Sequence, residues 1–220
     1  MRCEQLHKFT EEFWDERYGS HERVWSGKPN TALVAEAGLL TPGTALDVGC
    51  GEGADAMWLA ARGWRVTGMD VSGVALERAA THTPPELASL ITWSRVDLTT
   101  WEPSARYDLV SAQFVLHFPE ALHPERDRLF AKLASAVAPG GSLIVVGHSV
   151  LDLGTTIPRP PDASLFFTAD DLAAQLDPPN WALVTAENRP RPWQHDGRDV
   201  LLHDAVLRAQ RRGRGRRRFR

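Results

Sequence analysis

Asp47, Gly49, Gly51, Glu52 and Gly53 make the densest chemical pattern in the chain. They lie in ALDVGCGEGAD (residues 45–55), where glycines alternate with other residues straight after an apolar run that ends in an aspartate. Glycine admits conformations and close approaches that a Cβ forbids, so such a turn is a place where a ligand meets the main chain. A dinucleotide pyrophosphate would ask for G-x-G-x-x-G over a helix N-terminus. The spacing here is D-x-G-x-G-x-G, and the carboxylates of Asp47 and Glu52 suit a cation better than a phosphate. A ligand with an ammonium group and a sulfonium fits this loop.

The rest of that ligand is placed by the residues that close later strands. Asp70 lies 17 residues after Gly53, where a carboxylate accepts from a ribose diol, and Val71 offers an apolar edge to a flat base. Asp97 is placed to accept from an exocyclic amine. Gln113 and Phe114 close a further strand beside the loop.

These residues need elements to hold them, and the chain supplies an alternating series. Leu6, Phe9, Phe13 and Trp14 at helical spacing predict a helix over 4–18, and a second follows Pro29-Asn30-Thr31. Strands are expected at 44–48, 64–70, 91–96, 107–114 and 142–147, with helices at 54–62, from 73 to about 81, and 124–137. Ser72 is the expected N-cap of the helix from Gly73. A short helix after Thr168 and strands at 181–187 and 200–207, joined by a polar link over 188–199, complete the pattern. Strand–helix alternation with short links predicts an α/β fold: a doubly wound, Rossmann-like, mostly parallel sheet with helices on both faces. All the candidate residues then fall at the carboxyl ends of strands, where open α/β sheets bind ligands.

Composition narrows the class. The chain has 220 residues, 43% hydrophobic and 24% charged, which suits one globular domain with a sizeable core. No apolar run approaches the roughly 20 residues of a membrane span. The first residues, MRCEQLHKFTEEFW, are too polar for a signal peptide. Cys3 and Cys50 form neither a disulfide framework nor a metal-ligand spacing, so a cytoplasmic protein without a metal is expected. The last ten residues hold seven arginines, leaving a body of about −10 against a formal net charge of −3. An acidic body argues against nucleic acid as a partner, and the basic end reads as a solvated tail. The expected division is a helical lid over 1–40, one domain over 41–210 and a tail over 211–220.

ALDVGCGEGAD, VTGMDVS, SRVDL, YDLVSAQF and PGGSLIVVG together resemble the class I S-adenosylmethionine-dependent methyltransferases, over roughly residues 10–208. The resemblance implies S-adenosylmethionine as cofactor and a seven-stranded sheet whose last strand is antiparallel. It implies that Gly49, Gly51 and Gly53 shape the loop around the methionine part, flanked by Asp47 and Cys50. It places Asp70 on the ribose, Val71 on the adenine face, Asp97 and Leu98 at the adenine amine edge, and Gln113 under the sulfonium. Trp25 is expected on the cofactor side as well.

The acceptor is read from what surrounds the methyl group. Trp14 and Tyr18 share a helix face and, with the VWSGKPN stretch, suit a lid that closes over the methyl and excludes water. This segment resembles the thiopurine and tellurite-resistance methyltransferases. A thiol near pKa 8.5 supplies thiolate at neutral pH and needs little help from a base. A phenol wants a base or a metal; no acidic metal cluster is present, and His117 and His148 are the candidate bases. His117 and Phe114 are also candidate acceptor contacts, with Leu165, Phe166 and Phe167 as further walls. The Asn/Asp-Pro-Pro-Tyr/Phe signature of nucleobase amino methylation is absent; Ala112-Gln113-Phe114-Val115 stands there instead. The expected function is methyl transfer to a small soft nucleophile. The alternatives are an O- or N-methyltransferase with a histidine base, and a non-catalytic cofactor-binding or RNA-associated module that uses the tail.

Overall fold

A computed structural model describes residues 10–154, 162–195 and 197–213. The elements in chain order are α1 (Glu11–Gly19), α2 (Thr31–Ala37), β1 (Thr44–Val48), α3 (Ala54–Ala60), β2 (Arg65–Asp70), α4 (Gly73–His82) and β3 (Ile91–Arg95). There follow β4 (Tyr107–Gln113), α5 (His123–Ser135), β5 (Val137–His148), α6 (Ala169–Ala173), β6 (Trp181–His195) and β7 (Arg198–Arg211). They form one seven-stranded sheet in the order β3-β2-β1-β4-β5-β7-β6. The pairs from β3 to β5 are parallel, and β7 runs antiparallel to both of its neighbours. This is the α/β sheet that the alternation predicts.

Alternate residues of each central strand point to opposite faces and both faces are covered, so the strands are apolar throughout. On one face Leu46, Val48, Val110, Ala112, Leu143 and Val145 pack on Leu129, Phe130 and Leu133 of α5 and Leu172 of α6. On the other, Ala45, Leu109, Ile144 and Val146 pack on Leu33 of α2 and Leu59 of α3. A sheet filled from both sides fixes strand register, and with it the relative heights of the strand ends that carry the chemistry.

Three expectations change. Helix α2, expected within the lid over 1–40, packs into the core through Ala32, Leu33 and Ala37; residues 1–9, the first part of the expected helix 4–18, lie outside the described residues. The link expected over 188–199 is an extension of β6 and β7, paired from Asn188↔Ala205 to His195↔Arg198. Its polar residues and Pro190 and Pro192 read as loop, yet β6 is an edge strand, where proline is tolerated because alternate N–H groups face away from the ladder. At the far end Arg211 belongs to β7, opposite Trp181, and donates from Nη1 to the carbonyl of Val137 at 2.7 Å. Arg211, expected in the tail, thus lies in β7, and residues 214–220 lie outside the described residues. No described helix is long and apolar enough to cross a membrane.

Candidate functional site

The loop after β1 turns back against β2: the N–H groups of Gly49 and Cys50 both donate to the carbonyl of Met69, at 2.8 and 3.0 Å. Gly49, Gly51 and Gly53 have φ of 68°, 52° and 83°, the left-handed region that only glycine enters cheaply. The missing side chains also make room for protein. A Cβ on Gly53 would stand 2.5 Å from the Trp93 ring and 3.0 Å from Ala79, and one on Gly49 would strike Val115. A Cβ on Gly51 would come within 2.7 Å of the Tyr18 hydroxyl. The glycine pattern thus serves packing on both flanks and leaves Gly51 at the centre, under the N-terminal cover.

Asp70 closes β2 and ties the loop together. Its Oδ2 accepts from the Gly51 N–H and its Oδ1 from the Ser72 N–H, each at 2.9 Å. Ser72 caps α4 through Ala75, as its sequence position predicts. Asp47 is 1% exposed, and its Oδ2 has no hydrogen-bond partner among the described residues. Gln113 donates from Nε2 to Ser111 at 2.8 Å, which leaves its buried Oε1 without a partner among them as well.

The electrostatics follow from crowding acids out of water. Burial, then the charges of Asp55 and Asp70, hold the carboxyl of Asp47 well above the usual carboxylate range. Burial pushes Asp55 up to about 6, and it raises Asp70 against the pull of three backbone hydrogen bonds. Cys50 is raised well above its ordinary range by burial and by the same acids, which removes it as a thiolate nucleophile. Buried carboxyls beside acceptor oxygens with no partner among the described residues make a cradle that a cationic group fits.

Three carboxylates fasten the cover, and only their structure makes this visible. Glu52 does not face the ligand space: its Oε2 accepts from the N–H groups of Val24 and Trp25 at 3.3 and 3.2 Å, and its Oε1 pairs with Arg78 at 3.3 Å. Asp55 accepts from the Asn30 N–H at 2.6 Å. Asp15 accepts from the Ser72 hydroxyl at 2.5 Å and from the Val74 N–H. Beneath them Tyr18 is 3% exposed and accepts from the indole N–H of Trp25 at 2.8 Å, while Trp25 itself is 48% exposed. The Trp14 ring lies 6.0 Å from that of Tyr18.

The other candidates fall into two groups. Val71 is half-buried at the end of β2, and Leu98 packs against the core. Asp97 is exposed and accepts at Oδ1 from both the N–H and the hydroxyl of Thr99. Beyond β4, Phe114 has φ 58°, the one non-glycine residue with positive φ among those described. That strain sits beside the site and turns the ring into a stack. Phe114 lies 4.7 Å from His148, His148 4.8 Å from His117, and His117 5.6 Å from Phe167. His117 Nδ1 lies 2.8 Å from the Leu165 carbonyl, and the His148 backbone N–H points at Nε2 from 3.4 Å. A carbonyl can only accept and a backbone N–H can only donate, so the ring is neutral with its proton on Nδ1. Both of its nitrogens are engaged.

The family described as a methyltransferase domain matches residues 45–141. Thiocyanate methyltransferase 1 of Brassica oleracea is 30% identical over 161 residues, which cover 68% of this chain and 69% of that protein. The chain belongs to the class I S-adenosylmethionine-dependent methyltransferases. Probable thiol methyltransferase 2 of Arabidopsis thaliana is 32% identical over 139 residues, 60% of each chain, so this methyltransferase spans well under the full length of that relative. The N-methyltransferase NodS from Bradyrhizobium japonicum, solved in complex with S-adenosyl-L-homocysteine, matches the fold with a TM-score of 0.66, over 91% of this chain and 97% of that one at 19% identity. Membership makes S-adenosylmethionine the cofactor of this methyltransferase.

Proposed function

We propose that the chain methylates a small soft nucleophile, a thiol, a chalcogen or a heterocycle. The observation that carries this reading is His117. A general base needs a free lone pair within reach of the proton it takes. The lone pair of His117 faces a backbone N–H, and its other nitrogen holds Leu165. His117 is then a wall of the acceptor pocket, with Phe114, His148 and Phe167. With His117 engaged, an acceptor that ionises itself fits this wall, and a thiol supplies thiolate at neutral pH. The thiol and thiocyanate methyltransferases named above support the same class.

S-adenosylmethionine supplies a methyl group already activated on a sulfonium. The chain's part is to aim and to dry. Asp70 takes the ribose diol and Val71 the adenine face, with Leu98 at its edge and Asp97 at its amine. Asp47 and Gln113 face the ammonium and sulfonium end, and the loop over Gly49–Gly53, with Cys50, carries that end. The acceptor releases its proton to solvent before transfer. The aromatic wall and cover would hold the acceptor in line with the methyl group and keep water from its path.

The test is a panel of thiols, chalcogenides, heterocycles and phenols, followed by a pH profile on the best acceptor. We expect activity on the soft acceptors and a rate that tracks acceptor ionisation. His117→Gln should lower kcat/KM by less than about tenfold and leave that profile unmoved. A phenol-selective enzyme whose rate titrates with a histidine and collapses in His117→Gln or His148→Gln would favour the O- or N-methyltransferase reading.

A second expectation follows from the buried acids. The folded apo protein holds a proton at Asp55 up to about pH 6, where the unfolded chain has already released it. That group stabilises the apo fold fully below the ordinary aspartate range and ceases to do so as pH rises through about 6. A cation entering the cradle expels the proton. Affinity for S-adenosylhomocysteine, by calorimetry, should therefore rise by about five- to tenfold between pH 5 and 7 and then level off. A flat profile would detach the carboxyl cluster from the ligand.

A further inference from the structure

We propose that Tyr18 serves the cofactor and not the methyl acceptor, donating its hydroxyl proton to the carboxylate at the amino-acid end of S-adenosylmethionine. This rests on the cofactor site set out above. The Tyr18 oxygen accepts from the Trp25 indole at 2.8 Å. An indole N–H only donates, so the phenol's own proton stays available, and no described residue takes it. The Tyr18 oxygen sits at the middle of the glycine loop, since a Cβ on Gly51 would come within 2.7 Å of it.

The hydroxyl is also held in place. Trp25 is fixed at its backbone by Glu52 and at its ring by Tyr18, and α1 is fixed to α4 through Asp15. The accepting side of the oxygen faces Trp25, which makes it a poor partner for an ammonium and a good one for an acceptor. The neighbourhood explains why a donor is needed. Asp47, Glu52, Asp55 and Asp70 surround the loop, and Arg78 is paired with Glu52. With Arg78 taken up by Glu52, a neutral donor beside the loop is the group that can meet a ligand carboxylate there. Burial and the nearby Asp70 keep the phenol protonated well above its ordinary range, so it remains a donor throughout the working pH range.

The experiment compares S-adenosylhomocysteine with its decarboxylated analogue, which keeps the ammonium and lacks the carboxylate. Both are titrated calorimetrically into the full chain, wild type and Tyr18→Phe. We expect the wild type to prefer the carboxylate-bearing ligand by about 10- to 50-fold, and Tyr18→Phe to reduce that preference to about threefold or less, by losing affinity for S-adenosylhomocysteine alone. Equal losses for both ligands would make Tyr18 a structural support and overturn the assignment. So would a wild type that binds S-adenosylhomocysteine no better than Tyr18→Phe does. A wild type that binds neither ligand would overturn the cofactor site and this inference with it.

Discussion

Asp70→Ala should weaken S-adenosylhomocysteine binding by about 100- to 1000-fold in calorimetry, the loss of roughly 3–4 kcal/mol. Two effects add. In the cofactor placement proposed above, the variant loses the acceptor for the ribose diol, and a hydrogen bond to a charged group contributes about 1.5–3 kcal/mol. It also frees the Gly51 N–H, which Asp70 now holds at 2.9 Å, so the loop loses the clamp that sets its middle residue. The Ser72 N–H is released as well, but the Ser72 hydroxyl still caps α4 through Ala75. The fold should therefore survive. Burial already raises the Asp70 carboxyl, so its charged form is disfavoured in the folded apo protein. We expect a melting temperature within a few degrees of wild type alongside the binding loss. A variant that melts normally and still binds within fivefold would remove Asp70 from the ribose.

Where the sequence is legible, one element accounts for each signal. The sheet was readable because β1, β4 and the 142–147 part of β5 are largely apolar runs, and parallel strands buried on both faces leave that imprint. Ser72 and Thr168 were readable as caps because an N-cap is a local event. In the structure both accept from the backbone N–H three residues on. Asp70 was readable as the end of a strand, and in the structure it closes β2 and holds the Gly51 N–H.

The cover was much less legible, and for a physical reason. Asp15 meets Ser72 and Val74 across 57 and 59 residues, and Glu52 meets Val24 and Trp25 across 28 and 27. A carboxylate in a glycine loop looks like a ligand group, and nothing local says that it faces its own N-terminal segment. Tyr18 reads as half of an aromatic lid face with Trp14. Its burial and its bond to Trp25 depend on where α1 lands over the loop. The edge hairpin misled in the opposite direction: Pro190 and Pro192 weaken a strand reading unless the strand is known to lie at an edge. His117 read as a base because imidazole chemistry is generic, whereas its engagement at both nitrogens depends on Leu165 and on the end of β5.

Gly51→Ala should have the second large effect, and its cause can be separated from that of Asp70→Ala. At φ 52° a residue with a Cβ pays about 1–2 kcal/mol in backbone strain. The added carbon also lies 2.7 Å from the Tyr18 oxygen and 3.4 Å from the Trp25 indole nitrogen. Tyr18 cannot swing aside as an exposed side chain would, because it is buried under the cover and bonded to Trp25. The cover must rise, and α1 with it. We expect about 100-fold weaker binding of S-adenosylhomocysteine and a lower melting temperature, the total cost being about 3 kcal/mol. Faster proteolysis within residues 11–30 should accompany it, because a raised cover loses the bonds from Glu52 that hold Val24 and Trp25. The double variant Gly51→Ala/Tyr18→Phe distinguishes the two sources of that cost. Removing the hydroxyl relieves the collision and leaves the backbone strain, so the pair should melt above Gly51→Ala alone by an amount worth about 1 kcal/mol. Strict additivity in melting would mean that Gly51 is required for its φ alone and that the cover does not rest on the loop. Affinity should not recover in the pair, since the Tyr18 donor is gone. Stability regained without binding would show that the same hydroxyl both packs on the glycine loop and serves the ligand held there.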